Sequence, residues 1–404
     1  MLDKPCLAPF TSINLDSTGQ VVPCCVYKMK GDVDHEVWDY NLNKSVGINI
    51  KKKFNSWDKL RKNILKNKYP SNCNICKLRS QSGKTRADDF RKNLESFIED
   101  EFDNPKILMM DLDLSNKCNL KCLHCSSSNS TAWIKDSKKL FKIDNNKFDK
   151  QPIKHRSVNN IKDLYNFPEI TKDLKIVEIK GGEPLYQDQR YDILEVLIDH
   201  DVSKNITLKY ITNMTVKDEK LLKLWCFFEK IKLHISIEGT NKLYNFIRGD
   251  KITNVEMLEK NILWYKEKIK KYNKKIYVNW SITVMACNIF DVENIFNFIK
   301  KLNVGYNING IGSTPTLVVN PNYLDYRVLP RWYIDKARKQ MKKSLHMSVL
   351  NFEKKLTYWD DEERIPKFKL YIEYIENISL IRNINPNVIP FWKELKNEYL
   401  AYKR

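Results

Sequence analysis

The sequence predicts an α/β fold: a parallel sheet rolled into a partial barrel of six βα units, with helices packed outside it. Two observations carry this. Short segments rich in Ile, Val and Tyr recur between residues 105 and 312, each bounded by polar or turn residues. Between them run patterns with helical spacing. Six strands fall short of the eight of a full barrel. A cysteine-rich segment, residues 1–104, precedes this section, and a helical, aromatic-rich and Lys-rich extension, residues 313–404, follows it.

The expected strands are Ile107–Leu114, Leu174–Ile179, Ile206–Ile211, Ile231–Ile237, Ile276–Val284 and Tyr306–Ile311. The clearest helix carries Val292, Ile295, Phe296, Ile299 and Leu302 on one face. Another carries Leu221, Leu222, Trp225 and Phe228, with Asp218 and Glu219 placed to favour its N-terminus. Residues 143–173 interrupt the alternation and read as an insertion of short helices over the site. A further helix carries Trp57, Leu60, Ile64 and Leu65 and ends near Pro70. In the extension, Pro330–Lys343 reads as a basic amphipathic helix, its Arg331, Lys336, Arg338, Lys339, Lys342 and Lys343 forming a solvated face. Trp332, Tyr333, Tyr371, Tyr374 and Trp392 are expected to pack this helical cap.

A chain of 404 residues suits two or three domains. The formal charge of +20 comes from 70 Lys and Arg against 50 Asp and Glu. Only 13 of those 70 are Arg, whereas phosphate-binding surfaces draw on Arg as well as Lys. The charge therefore reads as solvated surface before it reads as a nucleic-acid footprint. No apolar run approaches the roughly 20 residues needed to span a bilayer. The start, Met1-Leu2-Asp3-Lys4-Pro5, lacks the apolar core of a signal peptide. A cytoplasmic location is expected, where thiols stay reduced, so the ten cysteines need an explanation other than disulfides.

The first explanation is Cys118-Asn-Leu-Lys-Cys122-Leu-His-Cys125, directly after the first barrel strand. In a βα barrel this is the C-terminal rim, where active sites sit. Three thiolates on one loop can hold three corners of an iron–sulfur cube and leave the fourth iron open. The alternative is half of a zinc site, completed by His124 or a distant residue.

Here the sequence resembles the radical S-adenosylmethionine enzymes, whose mark is this CxxxCxxC after the first strand of a partial (β/α)6 barrel. His124 stands where many members carry an aromatic residue. A second family element, Gly181-Gly182-Glu183-Pro184, follows the second strand, and in the family it holds the amino group of S-adenosylmethionine. Its glycines would permit a close backbone approach to that ligand. Thr212-Asn213 closes the third strand, and Ser236-Ile-Glu238-Gly239 the fourth, followed by Asn245-Phe-Ile-Arg248-Gly249. The last two look like the Ser-x-Asp/Glu-Gly and Arg elements of the peptide-modifying branch. The resemblance implies cofactor contacts for Thr212, Asn213, Ser236, Glu238, Arg248 and Asn288, with Arg248 forked onto the cofactor carboxylate.

The N-terminal segment has Cys6, twelve residues, Gly19, four residues and Cys24, then Cys73-Asn-Ile-Cys76. Four such cysteines can enclose one metal or one cubane cluster. This resembles the auxiliary-cluster modules called SPASM and twitch, and the short set points to the twitch type with one extra cluster. In most such proteins the module follows the barrel; here it precedes it. Cys25 adjoins Cys24, and the spacing from Gly19 favours Cys24 as the ligand. A zinc knot of Cys6, Cys24, Cys73 and Cys76 is the alternative. Cys226 reads as a core thiol. Cys287 reads as core or as a hydrogen-atom donor to a substrate radical.

The resemblance implies two 4Fe–4S clusters and S-adenosylmethionine as cofactors, and a low-potential donor such as flavodoxin or ferredoxin. It implies cleavage of S-adenosylmethionine to a 5′-deoxyadenosyl radical that takes hydrogen from a peptide or protein. Two other classes remain open: a radical enzyme acting on nucleic acid or a nucleotide, and a non-catalytic structural zinc protein.

Overall fold

The computed structural model describes residues 5–27, 45–74, 76, 86–144, 147–148, 154–249, 254–272, 276–303, 306–307, 310–311, 315–318 and 320–403. Met1–Lys4 of the signal-peptide reading, parts of the 143–173 insertion and the middle of the expected strand at 306–311 lie outside them.

The strands, in chain order, are β1 (Ser12–Leu15), β2 (Val21–Val22), β3 (Met109–Asp113), β4 (Ile176–Lys180), β5 (Thr207–Thr212), β6 (Lys230–Ser236), β7 (Ile276–Ser281) and β8 (Thr283–Val284). Three short ones follow: β9 (Tyr306–Asn307), β10 (Gly310–Ile311) and β11 (Thr316–Leu317). The first seven form one sheet in the order β2-β1-β3-β4-β5-β6-β7. The pairs β1–β3, β3–β4 and β4–β5 are parallel, in the registers Leu15↔Leu112, Leu112↔Ile179 and Ile179↔Tyr210. With its surrounding helices this is the α/β architecture of a partial barrel.

Three elements differ from expectation. The N-terminal segment supplies β1 and β2 to the central sheet, joined by a turn at Asp16–Gln20. There Asp16 Oδ1 accepts from the amides of Thr18 and Gln20, and Gly19 takes φ +80°. The Gly19 spacing is therefore that of a hairpin. Conversely, the described residues of the expected strand at 306–311, Tyr306–Asn307 and Gly310–Ile311, form a separate two-stranded sheet. They pair antiparallel with Gly310 opposite Asn307, as a stretch broken by Asn and Gly prefers. The expected strand at 276–284 splits into β7 and β8, and β8 pairs with β11.

The helices follow their apolar spacing. Val292–Leu302 buries Val292, Ile295, Phe296, Ile299 and Leu302 and stops at Asn303 in the left-handed conformation. Each such side chain contributes about 1.5–3 kcal/mol on burial. Glu219–Trp225 is capped by Asp218, whose Oδ1 accepts from the Leu221 amide at 2.9 Å, worth about 1 kcal/mol. The extension is helical, with Arg331–Met341, Met347–Glu353, Asp361–Arg382 and Trp392–Ala401. Among the described residues no helix is long and apolar enough to cross a membrane.

The chain divides into two compact units. One holds residues 1–117, 155–210 and 218–232; the other holds 118–154, 211–217 and 233–404. Within the first, β3, β4 and β5 are apolar on one face, through Met110, Leu112, Val177, Ile179, Leu208 and Tyr210. Their other face is charged yet buried, with Asp111, Glu178 and Lys209 side by side in register.

Candidate functional site

In the second unit, the loop Cys118–Cys125 is tied down through four of its carbonyls and two of its amides. Thr131 Oγ1 donates to Cys118 O at 3.2 Å, Trp133 Nε1 to Cys122 O at 2.8 Å and Tyr374 Oη to Leu123 O at 2.7 Å. Ser130 Oγ donates to Leu120 O. The amides of Lys121 and Leu123 donate to Arg248 O and Ile247 O, at 3.2 and 2.8 Å. These are carbonyls at the end of the helix Asn241–Arg248, which has no partner of its own for them. Gly249 closes that helix at φ +70°, and a Cβ there would stand 2.5 Å from Lys121 O, so the close approach requires glycine.

Cys118 and Cys122 both lie within electrostatic reach of Cys125. Burial, then Cys122 and Cys118, pushes the Cys125 thiol well above its ordinary range. Burial also raises Cys122, against the pull of Arg248. Burial and then Arg248 push His124 down to about 3, so its imidazole is neutral, and its Nδ1 has no hydrogen-bond partner.

The residues expected at later strand ends are largely engaged within the protein. Asn213 Nδ2 donates to Asn119 Oδ1 at 3.1 Å, and Asn119 Nδ2 donates to Thr215 Oγ1 at 2.8 Å. This triangle ties the end of β5 to the middle of the cysteine loop. Thr212 Oγ1 accepts from the Met214 amide. Asn288 donates to Glu238 O and Thr283 O and accepts from the Met285 amide, so it clamps the segment after β6 to β8. Arg248 does not face outward toward a carboxylate ligand. It is buried, its Nη2 lies 2.6 Å from Glu238 Oε2, and its Nη1 donates to Cys122 Sγ at 3.5 Å. Ser236, half-buried, ends β6.

In the first unit, Gly181–Pro184 turns sharply after β4. Gly181 has φ +79° and Gly182 φ +47°. A Cβ on Gly182 would stand 2.3 Å from Lys117 O, and one on Gly181 1.6 Å from Asp113 Oδ1. The glycines thus permit an approach to the protein's own chain just before Cys118. Glu183 N donates to Lys117 O at 2.9 Å, and Glu183 Oε1, buried, accepts from the Leu185 amide at 3.0 Å. Gln187 Nε2 donates to Ser115 O at 3.1 Å and to Gly181 O.

Asp113, beside this turn, is held in an unusual state. Burial pushes its carboxyl up to about 7 against the pull of Lys180, with Asp16 and Asp111 adding to the rise. Lys180 Nζ itself pairs with Asp111 Oδ2 at 2.6 Å. An unfolded aspartate loses its proton near 3.9. Between about 4 and 7 the folded chain therefore keeps a proton that the unfolded chain has released, and stability falls as pH rises through that window. Asp113→Asn is expected to shrink the loss of unfolding free energy between pH 5 and pH 8 by on the order of 2 kcal/mol. Urea unfolding at the two pH values checks this, and an unchanged difference overturns it.

The same unit holds the second cysteine set. Burial, then Cys73 and Cys76, pushes Cys6 up to about 12. Cys24 rises to about 12 through burial, Cys6 and Cys25, and Cys73 to about 12 through burial, Cys24 and Cys76. Cys6, Cys24, Cys73 and Cys76 thus share one neighbourhood. Cys6 and Cys24 pack on Ala8, Phe90, Leu94, Leu108, Met109 and Ile176, whereas Cys25 is exposed. Cys287 is fully buried, and Cys226 half-buried.

Among the described residues no three His, Cys, Asp or Glu side chains are arranged to hold a single metal ion. A four-iron cluster takes its thiolates at separate irons. The loop fits such a group in its donors: three thiols, with Arg248 Nε and His124 Nδ1 buried beside them and lacking hydrogen-bond partners. Sulfur acceptors would satisfy donors of this kind.

Sequence reasoning missed several contributors. Asn119 sits inside the cysteine motif, and its spacer position hid it. Asp136 and Arg382, paired at 2.8 Å, brace the region around Trp133, over which Arg382 stacks at 4.5 Å. No local signal marks that pair.

Residues 112–299 match the model of the Radical SAM superfamily. This stretch, a little under half of the chain, is similar to a radical SAM domain. No curated protein matches the sequence. Among solved structures it is similar to native anSMEcpe with bound AdoMet, at 17% identity and a TM-score of 0.40, covering 61% of this chain and 60% of that one. It is also similar to Streptococcus suis SuiB bound to precursor peptide SuiA, at 14% identity and a TM-score of 0.35, covering 64% and 52%. The chain thus spans about three fifths of the length of the first of these and about half of the second.

Proposed function

We propose that the chain is a radical S-adenosylmethionine enzyme acting on a peptide or protein, with Cys118, Cys122 and Cys125 holding the 4Fe–4S cluster that binds S-adenosylmethionine. The observation that carries this reading is the tied-down three-thiol loop inside the stretch similar to a radical SAM domain. When bound, cluster and cofactor supply one-electron cleavage of the sulfonium and a 5′-deoxyadenosyl radical able to take hydrogen from an unactivated C–H bond.

The chain's own residues supply position. Asn119, Asn213 and Thr215 hold the loop; the Gly181–Pro184 turn, with Glu183, offers an acceptor for the cofactor's ammonium group. Ser236 is assigned to the ribose or methionyl side. Cys6, Cys24, Cys73 and Cys76 hold an auxiliary 4Fe–4S cluster within a twitch-like module, residues 1–104, that exchanges electrons with the substrate radical. The peptide class rests on the Ser236–Gly239 and Arg248 elements. A cytoplasmic setting and a flavodoxin or ferredoxin donor complete the reading; the +20 charge suits an acidic donor.

The test is iron, sulfide and zinc content of anaerobically purified protein, with a reductant-driven assay for 5′-deoxyadenosine. About eight irons per chain together with deoxyadenosine is the expected result. About four irons with deoxyadenosine retains the barrel chemistry and removes the auxiliary cluster. Zinc alone, with no cleavage after reconstitution, overturns the reading in favour of a structural zinc protein.

A further inference from the structure

Arg248 and Glu238 form a buried ion pair beside a thiol, their side chains 4% and 2% exposed. Such a pair is costly: its desolvation offsets much of its attraction, and apolar residues of similar volume often serve stability as well or better. The pair is also ordered in space. Arg248 stands between the thiol and the carboxylate, with Nη1 donating to Cys122 Sγ at 3.5 Å and Nη2 2.6 Å from Glu238 Oε2. Its Nε has no hydrogen-bond partner. The main chain beneath both side chains is held: the carbonyls of Ile247 and Arg248 receive the Leu123 and Lys121 amides, and Asn288 Nδ2 donates to Glu238 O at 2.7 Å.

We propose that this pair sets the reduction potential of the cluster held by Cys118, Cys122 and Cys125, a role that rests on the function proposed above. One electron added to a cluster adds one negative charge and takes up no proton. A cation and an N–H donor at a ligating sulfur stabilise the reduced form and raise the potential. A carboxylate behind that cation opposes it. Arg248 is thus a positioning and tuning residue, with Glu238 as its counterweight.

This arrangement requires shifts of opposite sign. In reconstituted protein, a redox titration followed by electron paramagnetic resonance reads the midpoint potential of the signal that Cys125→Ala removes. Arg248→Met is expected to make reduction at least tenfold less favourable, about 59 mV more negative for one electron. Glu238→Gln, which keeps the donor and removes the opposing charge, is expected to shift it by a similar amount the other way. Arg248→Lys restores the charge without the fork, and is expected to fall between Arg248→Met and the unaltered protein. Shifts of the same sign, or none, with iron content unchanged, overturn the proposal and leave the pair a packing device. If Arg248→Met loses iron, Glu238→Gln decides alone: a positive shift supports the proposal, and no shift or a negative one overturns it. Unaltered protein without the four-iron signal overturns the underlying function, and the tuning role with it.

Discussion

Alanine at Cys118, Cys122 and Cys125 together is expected to remove about four irons per chain and to reduce 5′-deoxyadenosine formation to background while the chain stays folded. The loop is held mainly by its carbonyls and amides, through Thr131, Trp133, Tyr374 and the end of the helix Asn241–Arg248, with two longer contacts to Cys118 Sγ and Cys122 Sγ besides. Loss of the thiols therefore leaves its backbone partners in place. Iron analysis, the cleavage assay and a thermal unfolding curve on the same preparation separate the two effects. Retained cleavage would overturn the assignment of these thiols. A collapse of the unfolding transition would show instead that the sulfurs carry the loop.

Gly182→Ala is expected to cost about 2–4 kcal/mol of stability and to weaken S-adenosylmethionine binding. Its φ of +47° already disfavours any side chain, and the new Cβ would stand 2.3 Å from Lys117 O and 2.8 Å from the carbonyl carbon. Those are backbone atoms of Lys117, which cannot swing aside as the end of a flexible side chain could. Gly181→Ala meets a different obstacle, the Asp113 carboxylate at 1.6 Å. A second change, Asp113→Ala, is expected to recover part of the loss at Gly181 and none at Gly182. Denaturant unfolding of the four variants, with calorimetric titration of S-adenosylmethionine, checks the contrast. No recovery at either glycine would place the strain in φ alone, and equal recovery at both would discard the distinction between the two collisions.

The contrast between these glycines also marks how far sequence reading reached. A Gly-Gly-Glu-Pro run after a strand announces a special turn, because positive φ leaves a residue-type signature. What the glycines approach within the chain is another matter: Lys117 O and Asp113 lie beside them, brought near by the register of β3 against β4. Likewise Asp218 announced a helix start, since a cap bonds three residues away. The helix Val292–Leu302 announced its buried face through its own spacing. Tyr306–Ile311 misled because Ile and Tyr raise strand propensity, while Asn and Gly in the same stretch favour a hairpin.

By itself, then, the sequence determined the α/β class, the helix faces and the cysteine spacings that resemble a radical SAM motif, because each is a relation among residues a few positions apart. The tertiary structure decided the rest. It brought Arg248 to Cys122 across 126 residues, Asn213 to Asn119 across 94 and Tyr374 to Leu123 across 251. It also put the hairpin of β1 and β2 into the central sheet. Partners so distant leave no periodicity in the chain. They become neighbours only when burial of the apolar faces draws the strands and helices together, and the polar groups left inside must then find one another.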